Sequence, residues 1–510
     1  MLRNALFQRT TRLRVLVLYG SYLAGWCLFV LVVWPQVDGR DVLFSDVEAQ
    51  EAVSETVRQV NVPYTDSEDG TIPVLERAIF WFGEVGTNEN FTDVRIIYDD
   101  AKLLVTLHIY DRLLWYKPNP LTGELTDWDA ATLYLQANDQ PENGNSSTTF
   151  QFIGQLSLMS QPRNAYQSAY RLDGATWVPL SPGSFETTVG TQMSGVNDLA
   201  ADRGWNVTFD IPFNTVGLEG PPPKGATWRM ALVTHDRDSL QPTTPNTQQW
   251  PEEMLAAEPS TWGELSFGLP VYQTPLAIRD GTSIIRHGLN GSTVVDSHAG
   301  GGMVCGGDIE PGGSSWPTWG NHNRGGTHGV NVQNQWNLGD WPCFSKYYVT
   351  FPLTQIPAGT LIISATLTLH QFGNSGQPGF YASDTGPQPS LIQVLTVAED
   401  WSEGTLTWNN APLAKENVSR AWVDPLPPLE DRPEQHVARH WNVSGAVAEA
   451  YLTGQPLRLA LYSADSSMHS GKYFRSSEFH DPSFRPALKV SWGHPLTDPY
   501  TNYLPLLAEN

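Results

Sequence analysis

Aromatic side chains set among polar turns are the residues of this chain best suited to chemistry. Tyr110, Trp115, Tyr116 and Trp128 gather around a turn-rich stretch with Asp127 and Asp129 alongside, and Trp177 stands in another polar loop. Trp316, Trp319, Trp336 and Trp341 fall in a Gly-rich stretch, 299–342. A flat indole stacks on the apolar C–H face of a sugar ring, while nearby polar groups exchange hydrogen bonds with its hydroxyls. Trp115 and Trp177 are the expected stacking pair of the first half, and Trp128 and the four tryptophans of 299–342 are further candidates. The competing reading is that these rings fill cores and loops, as is expected of Trp401 and Trp408.

Metal and catalytic signals are thinner. Asp296, His298, Asp308, His322 and His328 cluster in sequence, but none of their spacings is that of a zinc motif. Asp- and Asn-rich turns suit calcium, which takes oxygen ligands. The chain has no Gly-x-Ser-x-Gly elbow, phosphate-binding loop or dinucleotide fingerprint. A glycosidase needs two carboxylates about 5–10 Å apart, and Glu399, Asp400 and Glu403 are the set that draws the eye. Asn90, Asn206 and Asn442 head Asn-x-Ser/Thr triplets, which matter only in a glycosylating host.

Composition narrows the partners. With 30 Lys+Arg against 53 Asp+Glu, the net charge of −23 repels nucleic acid and anionic lipid. Gly (44) and Pro (38) are abundant and charged residues make up 16%, which favours short strands and turns over long helices. Cys27 lies in an apolar run. Cys305 and Cys343 are either a disulfide of an oxidising compartment, worth roughly 3–4 kcal/mol, or two buried thiols.

The N-terminus is expected to anchor the chain. Arg3, Arg9, Arg12 and Arg14 precede an uncharged apolar run from Val15 to Trp34, the length of a bilayer core. No small-residue cleavage site follows, so an uncleaved signal-anchor is favoured over a signal peptide whose removal would release a secreted protein. The arginines stay cytoplasmic and the remainder lies outside. Residues 36–71 read as a polar spacer, in which Ser45 and Glu48 form a capping box opening a short helix through Arg58.

The rest reads as strands. Leu103, Val105, Leu107 and Ile109 alternate with Leu104, Thr106, His108 and Tyr110, and Val207, Phe209 and Ile211 repeat the pattern. Residues 271–281 read as a linker. Beyond it Ile363, Ala365, Leu367 and Leu369 alternate again, as do Leu457, Leu459 and Leu461. Val443, Val447, Ala450 and Tyr451 share a helical face ending at Gly454. The expected fold is all-β: two β-sandwich or jelly-roll domains after a transmembrane helix.

Two resemblances follow from ordered motifs. Over about 72–270, Val94-Arg95-Ile96-Ile97-Tyr98-Asp99-Asp100, Leu103-Leu104-Val105, Asp111, Gly204 to Phe213, Trp228-Arg229-Met230 and Trp262 to Phe267 together resemble the carbohydrate-binding module family 9-like domain. That resemblance implies a sandwich binding sugars with paired Trp, often with structural calcium; Trp81 is loosely placed in its Trp slot. Over about 282–493, Tyr348 to Leu353, Ser364 to Leu369, Trp401-Ser402-Glu403-Gly404-Thr405-Leu406-Thr407-Trp408-Asn409-Asn410-Ala411-Pro412, Phe474 to Glu478 and Arg485 to Leu488 resemble the DNRLRE domain, related to carbohydrate-binding module family 96. This implies a jelly roll in a secreted, polysaccharide-associated protein, with the insertion 299–342 departing from the simpler pattern. Residues 494–510 form a tail in which Tyr503-Leu504-Pro505-Leu506-Leu507 is similar to short tails of exported bacterial proteins.

The expectation is a cell-surface protein that binds extracellular polysaccharide, touches the membrane only through its N-terminal helix, and has no catalytic domain of its own. A glycan hydrolase or lyase, or its accessory subunit, is the first alternative. A structural surface protein or adhesin is the second.

Overall fold

A computed structural model describes residues 57–66, 73–86, 88–137, 148–158, 161–192, 195–241, 244–302, 315–335, 343–375, 386–427, 435–465 and 470–496. The expected anchor Val15–Trp34 and nearly all of the capping-box helix lie outside these residues. Among the described residues no helix is long and apolar enough to cross a membrane.

The compact unit Glu55–Asn510 is all-β. Among the described residues twenty-four strands make three sheets. In chain order they are β1 (Gln59–Val62), β2 (Ala78–Phe82), β3 (Phe91–Tyr98), β4 (Lys102–Tyr110), β5 (Ala130–Gln136), β6 (Thr149–Gln155), β7 (Gln167–Asp173), β8 (Thr176–Pro179), β9 (Glu186–Gln192), β10 (Gly204–Pro212), β11 (Thr227–Asp236), β12 (Asn246–Trp250) and β13 (Gly263–Phe267). The later strands are β14 (Ala277–Arg286), β15 (Val295–Gly300), β16 (Gly329–Val332), β17 (Ser345–Phe351), β18 (Leu361–Asn374), β19 (Ser390–Val397), β20 (Ala414–Val423), β21 (Val437–Asn442), β22 (Leu457–Ser463), β23 (Lys472–Arg475) and β24 (Ala487–Pro495). Two short helices are described, α1 (Ser315–Gly320) and α2 (Ser444–Leu452), the second at the expected helical face.

The long sheet runs β15-β17-β22-β19-β20-β1-β13-β11-β5-β6-β7-β8, with β12 paired to β11. A five-stranded sheet runs β2-β3-β4-β10-β9, and a third runs β14-β24-β18-β23-β16, with β21 on β18. The pivot is β1. It pairs in parallel with β13 on one side and touches β20 at Gln59 opposite Glu416. Asn61 and Asn417 complete the seam: Asn417 Oδ1 accepts from Asn61 N at 2.7 Å, and Asn417 Nδ2 donates to Asn61 O at 2.8 Å. The four residues of β1 lie inside the stretch expected as spacer. β14 likewise begins inside the expected linker, because its first residue, Ala277, pairs with Pro495 of β24.

Side-chain parity shows how the sheets stack. Alternation predicts one apolar face for β4, yet β3 is buried throughout and β4 everywhere beyond Lys102. Val94, Ile96, Val105 and Leu107 share the core of the first half with Leu133 and Met230 of the long sheet. The opposite face meets the second half. Arg95 donates to the Asp465 carbonyl at 3.0 Å and the Gln335 carbonyl at 2.8 Å, and Asp93 Oδ2 accepts from Asn334 at 2.9 Å and from Tyr462 at 3.2 Å. The two halves of the long sheet therefore cover opposite faces of the five-stranded sheet, and the third sheet covers the far side of the second half through Val349, Leu367, Leu459 and Val490. One core cluster runs from β2 to Trp408 and Tyr462. At this joint Lys346 is fully buried, its Nζ 3.7 Å from the Trp408 ring centroid, 4.5 Å from Trp81 and 4.7 Å from Phe91.

The Trp401–Pro412 motif folds against this joint. Asn409 Oδ1 accepts from Val85 N at 2.9 Å and its Nδ2 donates to Val85 O at 3.0 Å, while Tyr348 donates to the Pro412 carbonyl. Gly300 (φ 110°) passes so close that a Cβ would lie 2.8 Å from the Trp408 ring and 2.2 Å from a carbonyl; glycine alone fits there.

Candidate saccharide-binding face and acidic sites

One sheet face is closed at β5 and β11, where Tyr134, Ala231 and Val233 are buried with Met254 and Trp262, and partly open toward β6–β8. In β5 and β11, Leu133, Leu135, Met230 and Leu232 point inward, so Tyr134, Ala231 and Val233 point outward. Register places Ala231, Tyr134, Gln151, Tyr170 and Pro179 in one outward row across β11, β5, β6, β7 and β8. Trp177 is on the same side, opposite Leu172 in the β7–β8 hairpin. That hairpin turns at Gly174-Ala175, where Gly174 takes φ 60°, as a tight two-residue turn demands.

Trp177 does not stand upright. β8 is three strands from β5, about 14 Å at the usual strand spacing, yet the ring centroids of Trp177 and Tyr134 are 5.9 Å apart. The indole must lean back across β7 to reach Tyr134, and it stays partly exposed. Behind Tyr134 lies Trp262, 5.4 Å away, buried and pinned by a 2.9 Å hydrogen bond from Nε1 to the Leu255 carbonyl. Gln151 Nε2 donates to the Tyr134 hydroxyl at 3.0 Å. Arg229 and Glu264 beside this edge pair at 3.1 Å. The half-buried Trp177 indole, with Tyr170 and the neutral Gln151 on the same face, can stack a pyranose ring and bond its hydroxyls, while Tyr134 and Trp262 beneath are buried.

The other expected aromatics sit elsewhere. Trp115 is 6% exposed, because its backbone N–H donates to buried Asp129 at 2.6 Å and draws the segment inward. It offers no ring face to solvent and does not pair with Trp177. Trp128 is half-buried, one face covered by the Arg237 guanidinium at 4.3 Å. Trp319 is 4% exposed and packs on Trp408 at 4.8 Å. Trp316 falls in α1, and Trp336 and Trp341 lie outside the described residues. Cys343 is disulfide-bonded; Cys305, its expected partner, also lies outside them. Tyr134, Tyr170 and Gln151 were not singled out from sequence, although alternation along β5 and β6 marks the positions opposite the core-facing ones.

A second site gathers carboxylates at the loop end of the first half. Asp111, Asp236 and Asp238 each bring an oxygen within 4.8 Å of the others. Asp111 Oδ2 and Asp236 Oδ1 are buried without a hydrogen-bond partner. Asp129 stands beside them, committed to Trp115 N and Arg237 N. Burial, then the neighbouring Asp129 and Asp236, hold the Asp111 carboxyl well above the usual range; burial and Asp238 push Asp236 up to about 7. Orphaned hard oxygens in a buried all-carboxylate set fit a calcium ion, which would relieve this repulsion. The Asp236-Arg237-Asp238 doublet just after a strand was the available sequence signal.

A cleft of about 470 Å³ opens where β1 enters the joint, lined by Arg58, Glu84, Glu89, Glu252, Glu399 and Asp400 among others. Arg58 bridges both halves, donating to Glu252 at 3.0 and 3.1 Å, to Glu399 at 2.9 Å and to the Ala414 carbonyl at 3.2 Å. Burial, then Glu89, push the Glu84 carboxyl up.

No family profile and no curated protein matches the sequence. Among solved structures, the chain is similar to a protein of Bacteroides uniformis provisionally called carbohydrate-binding (13% identity, 41% of this chain and 99% of that one, TM-score 0.30). It is also similar to a family 9 carbohydrate-binding module of Caldicellulosiruptor kristjanssonii solved with cellotriose (14% identity, 42% and 100%, TM-score 0.28) and with glucose (17% identity, 43% and 100%, TM-score 0.29). At these scores the likeness does not establish a shared fold.

Proposed function

We propose that this chain is a carbohydrate-binding protein that holds extracellular polysaccharide, carried at the cell surface by the apolar segment Val15–Trp34. The observation that supports it is the indole of Trp177, partly exposed on the long sheet beside Gln151 and Tyr170 and packed on the buried Tyr134. A pyranose stacks on the ring and its hydroxyls meet the neutral polar edge. Calcium, held by Asp111, Asp236 and Asp238, would order the loops at that end of the first half. The test is a glycan array with the full chain in nanodiscs. Trp177→Ala is expected to weaken the best signal at least ~30-fold, the scale of a stacking hot spot; unchanged binding removes the proposal.

A second reading attaches to the joint cleft. Its carboxylates, with Glu84 held toward its protonated form, are the raw material of glycoside hydrolysis. Release of reducing ends by the wild-type chain, lost in Glu84→Gln, would support it; no release from any glycan that the chain binds would remove it.

A further inference from the structure

The polar edge of the Trp177 platform consists of two side chains that meet over β6. Tyr134 and Gln151 are direct cross-strand neighbours on the outward face. Gln151 Nε2 donates to the Tyr134 hydroxyl at 3.0 Å. A phenol has a single hydrogen, and here its oxygen is already accepting, so that hydrogen is left to donate elsewhere. Among the described residues no protein acceptor takes it. Gln151 Oε1 likewise meets no protein donor among them. The Tyr134 ring is wedged between Trp262 at 5.4 Å and Trp177 at 5.9 Å, so only the hydroxyl rotates. Burial raises its pKa and keeps it a donor. The alternatives on this face are spent or plain: Arg229 is engaged by Glu264 and the Trp262 carbonyl, and Leu172 and Pro179 have no side-chain polar atom.

A donor beside an acceptor, one strand spacing apart and next to a stacking ring, matches two adjacent hydroxyls of a sugar: one accepts while the other donates. We infer that Tyr134 and Gln151 are the specificity-determining pair of this platform, reading a vicinal diol on the edge of the pyranose stacked on Trp177. The inference rests on the saccharide reading above and goes further, because it demands a free adjacent hydroxyl pair and rejects rings in which that pair is capped. A site built to bond a hydroxyl discriminates strongly against an analogue lacking it, since the buried partner is left unpaired.

The test is affinity electrophoresis of the full chain through gels holding hydroxyethylcellulose, xylan, glucomannan or galactan, repeated with the most retarding glycan after partial O-methylation. Wild type is expected to lose retardation on the methylated glycan. Tyr134→Phe and Gln151→Ala should each weaken binding to the native glycan roughly 3- to 10-fold and narrow the difference between native and methylated forms, with thermal midpoints unchanged. Gln151 is half-exposed, so its variant keeps the test open if Tyr134→Phe loosens the fold. If Trp177→Ala abolishes retardation while both other variants stay within about 2-fold of wild type, the pair is overturned and the saccharide reading stands. If no glycan retards the wild type, or Trp177→Ala behaves as wild type, both fall.

Discussion

Asp296 and its neighbour Glu478 make more acceptor contacts than the hydroxyl between them has hydrogens to fill. Tyr347 donates to its Oδ2 at 2.6 Å, and Ser477 approaches its Oδ1 at 2.7 Å and Glu478 at 2.6 Å through the same hydroxyl. One hydroxyl hydrogen cannot serve two carboxylates, so a proton must sit on one of them. Burial, then Glu478, push Asp296 up to about 7. The folded state then binds this proton more tightly than the unfolded state does. Its stabilisation is full below the ordinary carboxylate range and is lost as pH rises through about 7. Asp296→Asn is expected to flatten the thermal midpoint between pH 5 and 8, on a scale of ~1–3 kcal/mol, checked by calorimetry across that window. Lys346 works in the opposite sense. Burial among Trp408, Trp81 and Phe91 holds its pKa well below the lysine range, with Asp93 opposing. Wild type should therefore lose stability relative to Lys346→Met as pH falls from 10 to 6, a trend that denaturant unfolding would reveal. In the carboxylate cluster, added calcium should raise the melting temperature and a chelator lower it; Asp236→Asn should lose most of that response, read by thermal shift.

At the scale of elements, β1 carries more than its length suggests. Its four residues Gln59–Val62 complete the long sheet, and Arg58 at its mouth ties Glu252 of one half to Glu399 and Ala414 of the other. Arg58 is buried while its two carboxylates are half-exposed. Arg58→Ala leaves two joint carbonyls without their donor and is expected to cost about 1–3 kcal/mol, measured by urea unfolding. The strands themselves were legible in sequence, since period-two alternation along Leu103–Ile109 and Leu457–Leu461 follows from the pleat. Their surroundings were not. Leu104, Thr106 and His108 alternate with the apolar face yet are buried, on the side where Asp93 and Arg95 of the neighbouring strand meet Asn334, Gln335 and Asp465 of the second half. Trp115 and Trp319 read as stacking candidates and proved to be buried, the first drawn inward by Asp129 and the second packed on Trp408. Trp177 was legible as a stacking candidate; its partners Tyr134 and Gln151 emerge only once strand register is known.

At the scale of the whole unit Glu55–Asn510, the two expected modules share one core cluster. Trp408 belongs to a motif of the second half, yet its ring packs on Phe91 of the first at 4.6 Å and on Trp319 at 4.8 Å. Trp408→Ala is expected to cost ~3–5 kcal/mol and to lower the single unfolding transition of the full chain rather than uncouple a second one. Two separate transitions by calorimetry would contradict the shared core. The net charge of −23 disfavours polyanionic glycans as partners, since long-range repulsion slows their approach.

Because β1 lies parallel to its neighbours near the point where the chain enters the body, tension has a defined path. A pull on residue 57 against a point held at β5–β8 loads the β1–β13 rungs along the strand axis. Rungs strained in that direction share the load and fail together, whereas a hairpin peeled from its end gives way one rung at a time.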